Sequence, residues 1–299
     1  MPSTQQYRRR IKSVKSTRQI TKAMEMVASV KMQKAVKAIS AERAYIQSTW
    51  KLLSEITESA KNISNPLLTE RPVEKVALLV ATSDRGLCGS FHADIFRKLR
   101  SWQKDNPEQI NLDNLDVIVI GGRGVDFVSK IKLGQVVASF DSQEDQVAYD
   151  QTTAISKILI DGYSEAKYDK VIILYSHYVS SLAQKPVFKQ LLPISKDHLD
   201  LPEVWKDQES DQNDQDFIYE PDKELLVNQI LPLFLRTQVY GAILESNASE
   251  QSARMVAMKN ATDNAGDLIE DLQLTYNSIR QDSITREIAE ISAGAEALN

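Results

Sequence analysis

The stretch IKSVKSTRQITKAMEMVASVKMQKAVKAISAERAY, residues 11–45, decides the fold. It contains neither glycine nor proline, and neither occurs between Ser3 and Asn65. Both residues penalise helix interiors, so their absence over such a length favours one uninterrupted helix. Apolar or small residues recur at Ile20, Met24, Val27, Val30, Ala35, Ala38, Tyr45, Thr49, Leu52 and Ile56. The spacing of three and four, with slips, predicts a single buried stripe. A helix of this length would extend about 90 Å at 1.5 Å per residue. That exceeds an ordinary globular helix and predicts a coiled coil.

The other end of the chain mirrors it. No proline follows Pro232, and Ile284, Ile288, Ile291, Ala295 and Leu298 step by four and three. Ala265, Leu268, Leu272, Tyr276 and Ile279 extend the pattern upstream. Ser246 to Gly266 is rich in alanine and serine, small side chains that let another backbone come close. Neither terminal helix can bury a stripe alone, so the two are expected to pair with each other, antiparallel because the chain returns through its middle.

That middle has α/β character. Val76–Ala81 is a continuous apolar run suited to a buried strand. Asp116–Ile120, Val136–Phe140 and Lys170–Tyr175 are further strands, and Val187–Leu192 is a candidate edge strand. Helical patterns at Phe91–Trp102, Gly124–Ile131 and Thr152–Tyr163 lie between them. Such alternation implies parallel pairing with right-handed crossovers. The expected fold is therefore a Rossmann-like α/β domain inserted between the N- and C-terminal helices of a long antiparallel coiled coil. The expected divisions are 1–70 for the first helix, 71–200 for the α/β domain, 201–224 for an acidic connector and 225–299 for the last helix.

Composition narrows the function. Glycine (10) and proline (9) are scarce in 299 residues, and 26% of residues are charged. One cysteine, Cys88, can form neither an internal disulfide nor a multi-cysteine zinc site, which points to a reducing compartment. No run is long enough to cross a membrane, and Met1 to Arg10 lacks the apolar core of a secretory signal. Membrane association is thus expected only through partners. The net charge of −5 conceals an asymmetry: Met1 to Lys61 carries thirteen Lys/Arg against four Asp/Glu, and Lys196 to Glu224 carries eleven acids against three lysines. A basic arm suits an acidic surface, although a solvated helix face gives the same pattern. The acidic stretch Asp207 to Asp216 reads as a solvated connector.

Three chemistries compete for the remaining motifs. No phosphate loop of the form G-x-x-x-x-G-K-[ST] exists. Val117–Gly124, a strand running into Gly121, Gly122 and Gly124, resembles part of a dinucleotide fingerprint, with Asp141 about twenty residues on. Phe127 stands where that fingerprint wants a small residue, so a cofactor-free turn is the preferred interpretation. Cys88 and His92, four apart beside a helix start, could form an activated thiol, but the sequence names no group to orient them. His92, His177 and His198 are too scattered for a metal site. Arg8, Arg9, Arg10, Lys12, Lys15, Arg18 and Lys22 could line a nucleic-acid groove, yet Ile11, Val14 and Ile20 interleave an apolar seam that wants a helix or a hydrophobic sleeve.

Four segments carry a resemblance to a known family. Arg9–Ala28, Ser83–Gly89 (SDRGLCG), Ser249–Gly266 and Ile284–Ile291 closely resemble signatures of F-type ATP synthase γ subunits, in the right order and spanning essentially the whole chain. The resemblance implies a non-catalytic central shaft without cofactor or metal. Its partners would be three α and three β subunits, an ε subunit and a membrane ring of c subunits, with no nucleic acid among them. Nucleotide sites would belong to β with help from α. The shaft would couple proton flow to ATP synthesis by presenting a different face to each β subunit. Matched to the signatures, the contact and coupling residues would be Arg9, Lys12, Lys15, Lys22, Met24, Val27, Arg254, Gln281, Thr285 and Glu287. Met24 and Val27 could equally fill the helix–helix seam. The location implied is peripheral, at the cytoplasmic face of a bacterial inner membrane. The cysteine pair of light-regulated plastid members is missing. A Rossmann-type dinucleotide enzyme and a basic coiled-coil nucleic-acid binder are the competing alternatives.

Overall fold

The computed structural model describes residues 4–59, 65–106, 114–143, 147–194 and 222–296. The acidic stretch Asp207 to Asp216 lies outside them. The chain forms two compact units, Met1–Ser29 with Arg254–Asn299, and Val30–Ala253. Two long helices bracket the sequence: α1 is Thr4–Ser59 and α5 is Lys223–Glu296. Between them run β1 (Val76–Ala81), α2 (Phe91–Asp105), β2 (Leu115–Ile120), α3 (Gly122–Ile131), β3 (Gln135–Phe140), α4 (Tyr149–Ser164), β4 (Lys170–Tyr178) and β5 (Gln184–Leu192).

The strands form one sheet in the order β3-β2-β1-β4-β5. The first four are parallel, and β5 folds back antiparallel on β4. β5 can accept Pro186 because an edge strand leaves one row of N–H positions unused. The continuous apolar runs found in the sequence are explained by burial on both faces. Ala77, Leu79, Ile118, Ile120, Val171 and Ile173 face a core completed by α4, by Ala35 and Ile39 of α1, and by Leu231, Phe234 and Val239 of α5. The alternate residues Leu78, Val80, Val117, Val119, Ile172 and Leu174 face Ile95 and Leu99 of α2 and Val128 of α3. The α/β unit is thus three layers, with stretches of both long helices forming part of one outer layer.

The α1 stripe keeps Ala35 where the sequence pattern placed it, but Thr21 and Ala28 take the inward places expected of Ile20 and Val27, one residue away. Thr21, Ala28, Ala35, Ile39 and Glu42 are buried, whereas Ile20, Val27, Val30 and Tyr45 are 46–59% exposed. One residue rotates the face by about 100°. The inward positions recur in heptads and carry mostly small side chains, so the large ones are turned outward.

Candidate functional site

In the unit made of Met1–Ser29 and Arg254–Asn299, α1 and α5 pack antiparallel along a seam of small residues. Thr262 Oγ1 donates to Met258 O and meets Thr21 Oγ1 at 2.8 Å, inside the seam. Met258, Thr262, Ala265 and Ile269 are buried from α5, and Thr21 and Ala28 from α1. Gly266 faces the Arg18 guanidinium, whose Cζ would lie 3.7 Å from a Cβ there. A polar cleft opens beside it, lined by Lys15, Arg18 and Gln19 on one helix and Asp263, Asp267 and Glu270 on the other. Beyond this paired stretch, every described residue of α5 from 280 to 294 is exposed. Ile284, Ile288 and Ile291 are 47%, 59% and 67% exposed. The expected burial of these three against α1 does not occur: the seam formed by Thr21 and Thr262 uses up α1 before α5 ends.

The glycine turn of the α/β unit is closed by the chain itself. Asp84 Oδ1 accepts from Gly122 N–H at 2.6 Å, while Oδ2 accepts from Ser142 N–H and Oγ–H at 2.9 and 2.8 Å. A carboxylate therefore stands at the start of α3, where a dinucleotide phosphate would bind. Burial works against its charge, but these three donors outweigh it and hold the Asp84 carboxyl below its usual range. The glycines serve this closure. Gly121, at φ +89, would place a Cβ 2.7 Å from the Ser83 backbone, and Gly124 would place one 2.5 Å from Thr82 Oγ1 and 2.7 Å from Val119 Cγ1. Phe127, which stands where the fingerprint wants a small residue, stacks on Phe96 with ring centroids 3.9 Å apart. Cys88 and His92 do meet, with Sγ 3.3 Å from Nδ1, and the orienting group invisible in the sequence is Ser83, whose Oγ lies 3.0 Å from Nε2. The thiol is only 2% exposed, so this chain of contacts pins the β1–α2 turn rather than offering a nucleophile. Among the described residues, no group of three or more His, Cys, Asp or Glu could hold a metal ion.

Two long helices with a small-residue seam, an exposed apolar end and a self-closed glycine turn thus characterise the described residues. The family model described as ATP synthase covers residues 3–298. The chain is 37% identical over its whole length to the ATP synthase gamma chain of Legionella pneumophila, covering all of that protein. It is 42% identical to that of Roseiflexus castenholzii, covering 99% of it. The chain belongs to the ATP synthase gamma-chain family. Solved rotors share the fold. A central-stalk chain of the Tetrahymena thermophila mitochondrial ATP synthase matches 81% of this chain and 99% of its own at TM-score 0.59 and 25% identity. A chain of the Euglena gracilis mitochondrial ATP synthase, in a structure described as OSCP, F1 and c-ring, matches 99% of this chain and 94% of its own at TM-score 0.64 and 19% identity, a likeness of fold.

On this gamma-family chain the signature residues separate into distinct settings. Arg9, Lys12, Lys15 and Lys22 are exposed on α1, with Lys15 on the rim of the polar cleft and Lys22 paired to Glu25 at 2.9 Å. Met24 is half-buried at the seam, whereas Val27 is 55% exposed and points away from it. Arg254 is 8% exposed, inside the chain and off its outer face. Gln281, Thr285 and Glu287 are exposed on the unpaired end of α5, interleaved with the three isoleucines. The residues are not one cluster. Sequence reasoning placed Ile20 in the buried stripe, left Val27 open between seam and contact, and passed over Asp84 as the group filling the turn. The outward setting of Ile20 and Val27 could have been found from the heptad of small residues Thr21, Ala28 and Ala35. The place of Asp84 depends on a crossover contact with no sequence signal. No helix among the described residues is long and apolar enough to cross a membrane.

Proposed function

We propose that this gamma-family chain is the non-catalytic central shaft of an F-type ATP synthase. It stands with its terminal helices inside a ring of three α and three β subunits, and its base meets an ε subunit and the c-ring. The observation that carries this is the exposed apolar row on α5, Ile284, Ile288 and Ile291, on a helix end that no other part of the described chain covers. A row of that kind needs a hydrophobic sleeve, and the basic residues of α1 suit acidic loops outside it. The solved structures whose fold it shares are described as central stalk with c-ring and as OSCP, F1 and c-ring.

The mechanism follows from asymmetry. A shaft that presents different side chains to each of three equivalent neighbours interacts differently with each, and such differences are what shift a subunit between open and closed states. Arg9, Lys12, Lys15, Lys22 and Val27 on α1, and Gln281, Thr285 and Glu287 on α5, are the proposed contacts. Met24 and Arg254 act from within by holding the helices in register. The proposed divisions are the helices 1–70 and 225–299, the α/β domain 71–200 and the connector 201–224. The membrane face proposed is the cytoplasmic side of a bacterial inner membrane.

Reconstitution tests this. The purified chain is expected to hydrolyse no ATP, to bind a ring of α and β subunits with one copy per ring, and to raise its ATPase turnover. A chain that elutes free of α, β and ε, or that turns over a nucleotide by itself, refutes the proposal and returns attention to the turn at Gly121 to Gly124.

A further inference from the structure

Within the unit Val30–Ala253, α1 and α5 meet at a polar cluster apart from the contacts proposed for the shaft. Glu42 of α1 is only 8% exposed and lies against Gly241 of α5. A Cβ on Gly241 would come 2.1 Å from Glu42 Oε1, so the glycine makes the seat that the carboxyl occupies. Glu42 Oε1 is buried without a hydrogen-bond partner. Charged and titratable groups face it from every neighbouring element. Glu245 of α5 accepts from Arg43 of α1 at 3.2 Å and pairs with His177 of β4. Lys189 of β5 donates to Gln238 of α5. Tyr175 of β4 and Tyr240 of α5 complete the surround, both pushed up from their ordinary range, first by burial and then by the nearby carboxylates.

An ionised Glu42 would set a second carboxylate beside Glu245, in a place where its own Oε1 has no donor. Burial, reinforced by Glu245 and opposed by Lys189 and Arg43, pushes the Glu42 carboxyl up to about 8. We propose that Glu42 is a proton-operated latch between α1 and α5: neutral, it seats against Gly241 and lets the helices close, and ionised, it leaves that seat for water and the contact opens. All of its parts belong to this chain, so the latch operates whether or not the chain is assembled with partners.

The sign follows from linkage. The closed form holds a proton that the open form releases, because the carboxyl of the open form is near its ordinary value of 4.5. Closure is therefore complete in acid, weakens by up to about tenfold per pH unit on rising toward the folded value, and weakens no further above it. Amide hydrogen exchange on the full chain between pH 6 and 9, corrected for the intrinsic rate, reads this directly in peptides covering residues 35–46 and 236–248. The opening constant is expected to rise up to about tenfold per unit to about pH 8 and then level off. In Glu42→Gln it is expected to be flat. If that variant does not fold, Glu42→Ala, which empties the seat, serves the same comparison. Equal slopes in variant and parent overturn the proposal. So does a carboxyl-carbon resonance of Glu42 that titrates in the ordinary carboxylate range.

Discussion

Replacing Ile284, Ile288 and Ile291 together by alanine separates burial within the chain from burial by a partner. The three side chains are 47%, 59% and 67% exposed, so each has about half or more of its surface still to bury. Fully burying an isoleucine is worth about 1.5–3 kcal/mol, so completing the burial of all three contributes about 3–5 kcal/mol. At about 1.4 kcal/mol per tenfold, the variant should bind a ring of α and β subunits roughly a hundred- to a few thousandfold more weakly. The isolated chain should be unharmed. Alanine is a slightly better helix former than isoleucine, and exposed positions move stability by less than about 0.5 kcal/mol. Thermal melting of the purified chain and a binding titration with the ring are the two measurements required. A variant that melts several degrees lower, with unchanged binding, would show that the isoleucines pack within the chain. A variant unchanged in both would show that the exposed row has no occupant, and the sleeve would have to be given up.

Two further perturbations probe the α/β unit. Gly124→Ala forces a methyl to within 2.5 Å of Thr82 Oγ1 and 2.7 Å of Val119 Cγ1, so the full chain should lose about 1–3 kcal/mol in a denaturant titration; a neutral result would mean that α3 can move off the sheet. Asp84→Asn keeps the shape but turns a donor toward Ser142 N–H or Gly122 N–H, and should cost about 1–2 kcal/mol at neutral pH given the exposure of the site. Because the folded carboxyl lies below its ordinary value, its contribution is present above about pH 4 and lost as pH falls further, so the parent and Asp84→Asn stability curves should converge in acid. Curves that stay parallel to low pH would refute the role given to Asp84.

What the sequence disclosed and what it withheld follow from the range of the interactions involved. The strands were legible because a parallel strand buried on both faces must be apolar at every position, and Val76–Ala81 and Asp116–Ile120 say so without knowledge of their neighbours. The first long helix was legible because about sixty positions without glycine or proline favour one uninterrupted helix, and the last because its apolar residues recur at three and four. Ala35 was placed correctly on the inward face of α1, but Ile20 and Val27 were misplaced because size was taken as the mark of burial. In a seam where two backbones come close, the inward positions belong to Thr21, Ala28 and Ala35, and Ile20 and Val27 are displaced outward. That displacement is the functional signal: a helix that buries its small residues and shows its large ones is built to be enclosed by something else. The same logic explains the isoleucines of α5, which periodicity alone assigns to a partner helix. Only the geometry reveals that α1 ends before reaching them. The closure of the glycine turn by Asp84 and the seat of Glu42 against Gly241 lie beyond any periodicity. Each joins residues far apart in sequence, thirty-eight positions in one case, through a single side chain meeting a glycine. Features of this kind distinguish one member of a fold from another, and in this chain they account for both a Rossmann-like turn closed by its own carboxylate and a buried carboxyl seated on a glycine.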